Sequence, residues 1–436
     1  MASLAEDKDR LAISRLYARF GFGPRPGEFA ESLSRGLQST QETFLVKPDL
    51  ALMQSRIKVL EVEDLGDRPA AGSDVSDAFG TKLREQNRGL TLWWLDQMAT
   101  TEFTLNEKMV WFWHGHWATS IDKVKFALPM YDQNQRLRTH ALGNFATMSQ
   151  EMFLDGALQI WLDGQDNTAK APNENLAREF MELFTLGVGR YTEEDVKALS
   201  RIFTGYTVDR TSGELKFVPR RHDSSPVTLL GQTKSFSADE AVEYLVSRKD
   251  CAQFISERIW YRFFSESEPI PKSFTGKGFE DRNIGDLVST FINSPHLSTE
   301  NMPMVKSPVE WCIAICRAFG LVPSQFSNPQ ILLSHLSKMS QVPFMPPSVG
   351  GWPAGGAWLT SASAQFRLSF AQYLIKSIDL AQLRAVPRAD RINYLRDLLG
   401  VYQLSSRTED ALRAVLDEPA RLILLLVNSP EYVVGA

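Results

Sequence analysis

A chain of 436 residues with 43% hydrophobic side chains has ample material for a packed core, and its length suggests two or three domains or one large helical one. A net charge of −5 without a basic run argues against general nucleic-acid binding. Three cysteines are too few for a disulfide framework, and no apolar run approaches the ~18 residues that a membrane span requires.

Leu11 to Phe20 reads as an amphipathic helix ending at Gly21-Phe22-Gly23-Pro24, with further helices over Pro26 to Arg35 and Gln41 to Val46. Glu61 to Gly80, rich in acidic residues, Gly, Pro, Ala and Ser, predicts a mobile surface loop. Lys82 to Thr100 carries Leu92, Trp93, Trp94 and Met98 on a strongly apolar helix. Thr104 and Glu107 then have capping-box spacing, opening a helix that runs through Trp111, Phe112 and Trp113 to His114-Gly115-His116-Trp117. Residues two apart on an unbroken helix diverge by about 200°, so His114 and His116 share a ligand only if the backbone turns at Gly115.

Asn134 to Glu151 reads as one helix, with Arg136, Arg138 and His140 near its start as counter-charges for later glutamates or as an anion-binding edge. Leu158 to Asp166 is a short bridge to the most informative stretch, Asn173 to Gly187. Pro172 and Asn173 mark a helix start there and Gly187 its stop. Leu176, Phe180, Leu183 and Phe184 share an apolar face, while Glu174 and Arg178 form an i,i+4 pair opposite it. Asn175, Glu179 and Glu182 border that face and are expected to be half-buried. A carboxylate in such a position needs a cation, a donor or a raised pKa. Glu179 and Glu182 therefore either pair with arginines elsewhere or serve as metal ligands or acid/base groups.

Thr192 caps the next helix, and Glu214 to Leu230 predicts a small hairpin presenting His222 and Asp223. Helices are expected within Glu240 to Phe264, over Gly285 to Asn293 and over Val309 to Phe319, where Cys312 and Cys316 are spaced as two buried thiols. Val342 to Trp358 holds too much Pro and Gly to be helical, and Trp352 and Trp358 favour order, so it reads as a rigid loop lining or lidding a pocket. Three helical stretches, Thr360 to Ile378, Ala389 to Leu399 and Glu409 to Asn428, complete the chain.

The sequence Asn173-Glu174-Asn175, followed by Ala177-Arg178-Glu179, Glu182-Leu183-Phe184 and Tyr191 to Val196, closely resembles the bacterial domain of unknown function 1800 family. The resemblance extends to Arg15–Gly27, Lys108–Ser120, His222-Asp223 and Gly350-Gly351-Trp352, nearly the whole chain. The family pattern has a glycine and then a lysine shortly after the His-Asp pair, where this chain has Ser225 and Val227. By association the resemblance implies a sulfatase-like partner. Many members look exported, but the opening Asp7-Lys8-Asp9-Arg10 has no signal-peptide apolar region, so a cytoplasmic location is expected.

The expected fold is mainly α: one family-wide helical domain over 1–436, or two lobes of about 1–210 and 240–436 joined by a hairpin segment at 211–239. The expected function is a metal-dependent enzyme holding zinc, manganese or iron through His114, His116, Glu179 and His222. Hydrolysis is favoured slightly over oxidation. Glu179, Glu182, Asp223 and Arg178 are the catalytic candidates. Trp113, Trp117, Arg138, Asn175, Trp352 and Trp358 are the candidates for binding a small-molecule or carbohydrate-like substrate. Two alternatives stay open: metal-free acid/base chemistry on a carbohydrate-like substrate, and a non-catalytic helical scaffold with a buried ion-pair network.

Overall fold

In the computed structural model, which describes residues 4–47, 49–67, 69, 74–299 and 302–435, helices dominate and strands occur only in three two-stranded antiparallel sheets. The fold is therefore mainly α with small hairpins, as the periodicity predicts. Buried apolar side chains form one contiguous cluster reaching from Ala12 to Val433. No helix among the described residues is long and apolar enough to cross a membrane.

Four local expectations need correction. The helix expected to begin at Lys82 already begins at Asp74, so the predicted loop survives only as the irregular stretch after Arg56; Arg68 and residues 70–73 of that loop lie outside the described residues. The Thr104–Glu107 capping box does not form. The Thr104 hydroxyl accepts the Phe22 amide at 3.3 Å, and Glu107 turns inward to Arg138 and Trp94. The helix expected over Asn134 to Glu151 is two, Ala127–His140 and Phe145–Phe153, the second capped by the Asn144 side chain. The single hairpin is also two: Tyr206–Val208 pairs with Leu215–Phe217, and Val227–Leu229 with Gln232–Lys234. His222 and Asp223 lie between them.

Three helices and one loop position the features of interest. The histidine helix, Thr104–His116, continues unbroken through Gly115. The carboxylate helix begins with Asn175–Glu179 and widens into a π turn over Phe180–Thr185, where the Leu186 amide reaches back to the Met181 carbonyl at 2.8 Å. Gly187, at φ +89°, stops it, and a side chain there would strike Phe254. Phe254 belongs to the arginine helix, Lys249–Phe263.

The irregular Val342–Trp358 segment is buried at several points, and only Gly355–Trp358 forms a 3₁₀ turn. It is pinned to the histidine helix. The Phe344 amide donates to Nε2 of His114 at 3.1 Å, and the Trp352 and Trp111 rings stack at 5.0 Å. Gly351, at φ +80°, lies so close to the Gly115 carbonyl that an added Cβ would overlap it.

Candidate functional site

Because the histidine helix is continuous, its two imidazoles leave on different sides. His114 packs among Trp94, Trp111, Phe344 and Trp352, and its Nε2 accepts the Phe344 amide. His116 packs among Trp113, Phe184 and Phe254, with Nε2 donating to the Phe184 carbonyl at 2.9 Å. Burial drives both pKa values down to about 3, helped at His116 by the Arg258 cation and opposed there by the Phe184 hydrogen bond. Each is a neutral ring latched to the backbone of another segment, and the structure does not bring them together.

The remaining expected ligands are elsewhere. His222 directs Nδ1 to Thr204, 3.0 Å from its carbonyl oxygen, and Asp223 pairs with Arg201 at 2.7 Å. The Arg201 hydrogen bond holds the Asp223 carboxyl down at about 2, against partial burial. Among the described residues no three His, Cys, Asp or Glu side chains are grouped to hold a metal ion.

Glu179 and Glu182 do share one place on the carboxylate helix. Tyr191 donates its hydroxyl to Glu182, and burial followed by the Glu182 charge raises the Glu179 pKa while Arg178 opposes them. Neither glutamate pairs with Arg136 or Arg138. Arg136 contacts Glu151, and Arg138 makes a buried two-pronged bridge to Glu107 at 2.7 and 3.0 Å. Arg178 is committed to Glu174 and Glu193 at 3.0 and 2.7 Å on the surface.

The substrate-binding candidates divide. Trp113 and Trp117 are wholly buried core residues, and Trp113 donates its indole N–H to the Ala141 carbonyl. Trp358 is buried, with its carbonyl accepting from Arg367. Asn175 is exposed, and Arg138 is consumed by Glu107. Trp352 lines a cavity.

That cavity, of about 210 Å³, lies where the end of the histidine helix, the arginine helix and the Gly350–Ala354 stretch meet. Gly115, Tyr261, Trp352 and Ala354 line it together with Arg258 and Arg262, which are spaced i,i+4 on one helix face. The sequence reading missed this arginine pair. A signal was present: like charges at i,i+4 destabilise a helix, and these two interrupt the run Phe254, Ile255, Ile259, Trp260, Phe263. Arg262 also lines a small adjoining space with Lys108, Lys306 and Glu310. Burial raises the Glu310 pKa, but the Lys108 and Arg262 charges and the Lys108 hydrogen bond outweigh it and hold the carboxyl at about 2. Burial in turn lowers the Lys306 ammonium to about 8, against the attraction of Glu310.

Fold and site thus define a mainly helical protein whose separately recognisable segments meet at a cationic cleft. The chain belongs to the family described as protein of unknown function, DUF1800, which matches residues 15–434. No curated protein and no solved structure matches the chain.

Proposed function

We propose that the protein binds a small polar molecule in the cleft between the histidine helix, the arginine helix and the Gly350–Ala354 loop. The observation that carries this reading is convergence. Gly351 meets the Gly115 carbonyl in a contact that requires glycine at position 351, and beside it a cavity of about 210 Å³ is lined by Trp352 and by donors from a third segment. A pocket that joins several segments and converges a few polar groups on one space is a usual form of ligand site. Tyr261, 40% exposed, connects the cavity lining to solvent.

A second reading, metal-free acid/base catalysis, is favoured by the Glu179–Glu182–Tyr191 cluster. A carboxyl whose pKa is raised by burial and a like charge is suited to proton transfer. The π turn beside it is a feature often found at functional sites. Divalent-metal chemistry at Glu179 with His114, His116 and His222 has weaker support, because each of those imidazoles has a ring nitrogen against a backbone group.

One experiment separates the three. A small-molecule panel is screened by thermal shift against the parent, Ala354→Trp and Glu179→Gln, with elemental analysis of each preparation. The cleft reading expects hits that Ala354→Trp abolishes and Glu179→Gln keeps; hits that survive filling of the cavity would sink it. Hits lost only in Glu179→Gln, with no bound metal in the parent, support acid/base chemistry at that cluster. Stoichiometric zinc, manganese or iron in the parent, lost in Glu179→Gln, would replace both with the metal reading.

A further inference from the structure

Buried cations in this fold are otherwise provided with acceptors. Arg138 has Glu107, and Lys108 has Glu310. Arg317 donates to the carbonyls of Gly23, Met98, Ala99 and Thr101, and Arg367 to those of Trp358 and Lys306. Arg15 and Arg19 likewise end on backbone carbonyls. Arg258 and Arg262, half-buried on one face of the arginine helix, differ: among the described residues neither makes a hydrogen bond or an ion pair. Nε of Arg258 is buried without a partner, and burial together with the neighbouring Arg262 charge lowers the Arg258 pKa. The carboxylates nearest in influence, Glu266 and Glu310, act on Arg262 only through space, and each is occupied: Glu266 by the Gly355 amide, Glu310 by Lys108 and the Ser307 amide.

Two guanidiniums one helical turn apart, both lining one cavity, repel each other, and although Glu266 and Glu310 offset the Arg262 charge through space, no carboxylate among the described residues bonds directly to either guanidinium. An anion from outside the chain relieves that repulsion and supplies the missing acceptors. Trp352, 8% exposed, lines the same cavity, and its buried indole N–H has no partner among the described residues. An oxyanion fits this donor set, because a guanidinium presents parallel N–H groups that match carboxylate, sulfate or phosphate oxygens two at a time. At about 210 Å³ the space is smaller than the roughly 300 Å³ at which drug-sized sites begin, so it suits a charged head group with a short attachment.

We infer that Arg258, Arg262 and Trp352 form an oxyanion-recognition site, and that the molecule bound in the cleft carries a carboxylate, sulfate or phosphate group clamped between the two guanidiniums. This inference rests on the cleft being the ligand site. It goes further in fixing the ligand's charge and the residues that read it.

The test uses the intact chain at low ionic strength. Calorimetric titrations with sulfate, inorganic phosphate, glucuronate and neutral glucose are run on the parent, Arg258→Gln, Arg262→Gln and Arg258→Lys. At least one anion is expected to bind saturably, and the arms identify which oxyanion is preferred. Each glutamine variant is expected to weaken that binding about tenfold or more, and Arg258→Lys by less, since it keeps the charge but loses the paired donors. Without ligand, Arg258→Gln is expected to melt no lower than the parent, because it removes an uncompensated charge; a structural arginine would show the opposite. Binding of glucose but of no anion, with Ala354→Trp abolishing it, would keep the cleft and overturn the anion. No binding of any probe above a chloride control, or anion binding unaffected by both glutamine variants, would also overturn it. Should a glutamine variant fail to fold, the lysine variant and the anion-against-glucose comparison on the parent decide the question.

Discussion

His114 and His116 show how a residue type that suggests chemistry becomes a structural latch once its surroundings are known. Both rings are among the least solvent-exposed side chains, and each spends Nε2 on a backbone group from a distant segment. Their folded pKa of about 3 lies below the unfolded value near 6.5. The sign follows: both favour the folded state fully above pH 6.5, and that contribution is lost as pH falls toward 3, because the unfolded chain takes up the protons. Each ring should steepen the acid-side loss of stability by at most about 1.4 kcal/mol per pH unit. Urea midpoints measured from pH 7 to pH 4 should therefore fall less steeply in His114→Gln and in His116→Gln than in the parent. An unchanged slope in both variants would mean that the rings are charged or solvated in the folded protein. The sequence shows the pair and its divergence on an unbroken helix, but which carbonyl or amide each ring would meet is set by contacts 68 and 230 residues away.

At the level of elements, the legible features are those in which local chemistry has no competitor. Thr192 with Asp195 forms its capping box, Gly187 ends the carboxylate helix, and Cys312 and Cys316 sit as buried thiols one turn apart. The Thr104–Glu107 box fails because stronger partners claim both side chains, a buried arginine outweighing an amide for the carboxylate. The loop holding Trp352 was recognisable as ordered from its Pro, Gly and Trp content, yet its seat on Gly115 was not, since neither glycine names its neighbour. That seat makes a sharp prediction. Gly351→Ala places a Cβ against the Gly115 carbonyl at a left-handed φ of +80°, and should lower stability by about 2 kcal/mol or more. Gly350→Ala, whose Cβ would meet only the Ser348 hydroxyl at 3.6 Å, should stay within about 0.5 kcal/mol of the parent. Equal melting of the two variants would show that the loop does not rest on the histidine helix.

For the whole molecule, the mainly helical class follows from periodicity, whereas the pairing of charges does not, because the partners are far apart in sequence. Arg138 and Glu107 are 31 residues apart, and Lys108 and Glu310 are 202 apart. The buried ion-pair network of this fold is centred on Glu107 and not on Glu179 or Glu182. Glu107 accepts two bonds from Arg138 and the Trp94 indole N–H at 2.6 Å, while Arg138 also reaches the Asn134 side chain at 2.6 Å. Removing one member of such a buried pair leaves the other charge desolvated, a loss of about 3–5 kcal/mol, whereas an apolar replacement of both is often close to neutral. Arg138→Met should accordingly destabilise the fold by that amount, measured by urea denaturation at neutral pH. Glu107→Leu combined with Arg138→Met should recover most of it, less the orphaned Trp94 and Asn134 groups at about 1 kcal/mol each. If the double variant is no more stable than Arg138→Met alone, the two side chains do not act as a unit, and Arg138 would return as a candidate for ligand contact. If recovery is seen, Arg138 is accounted for by the fold, unlike Arg258 and Arg262, which make no hydrogen bond or ion pair among the described residues.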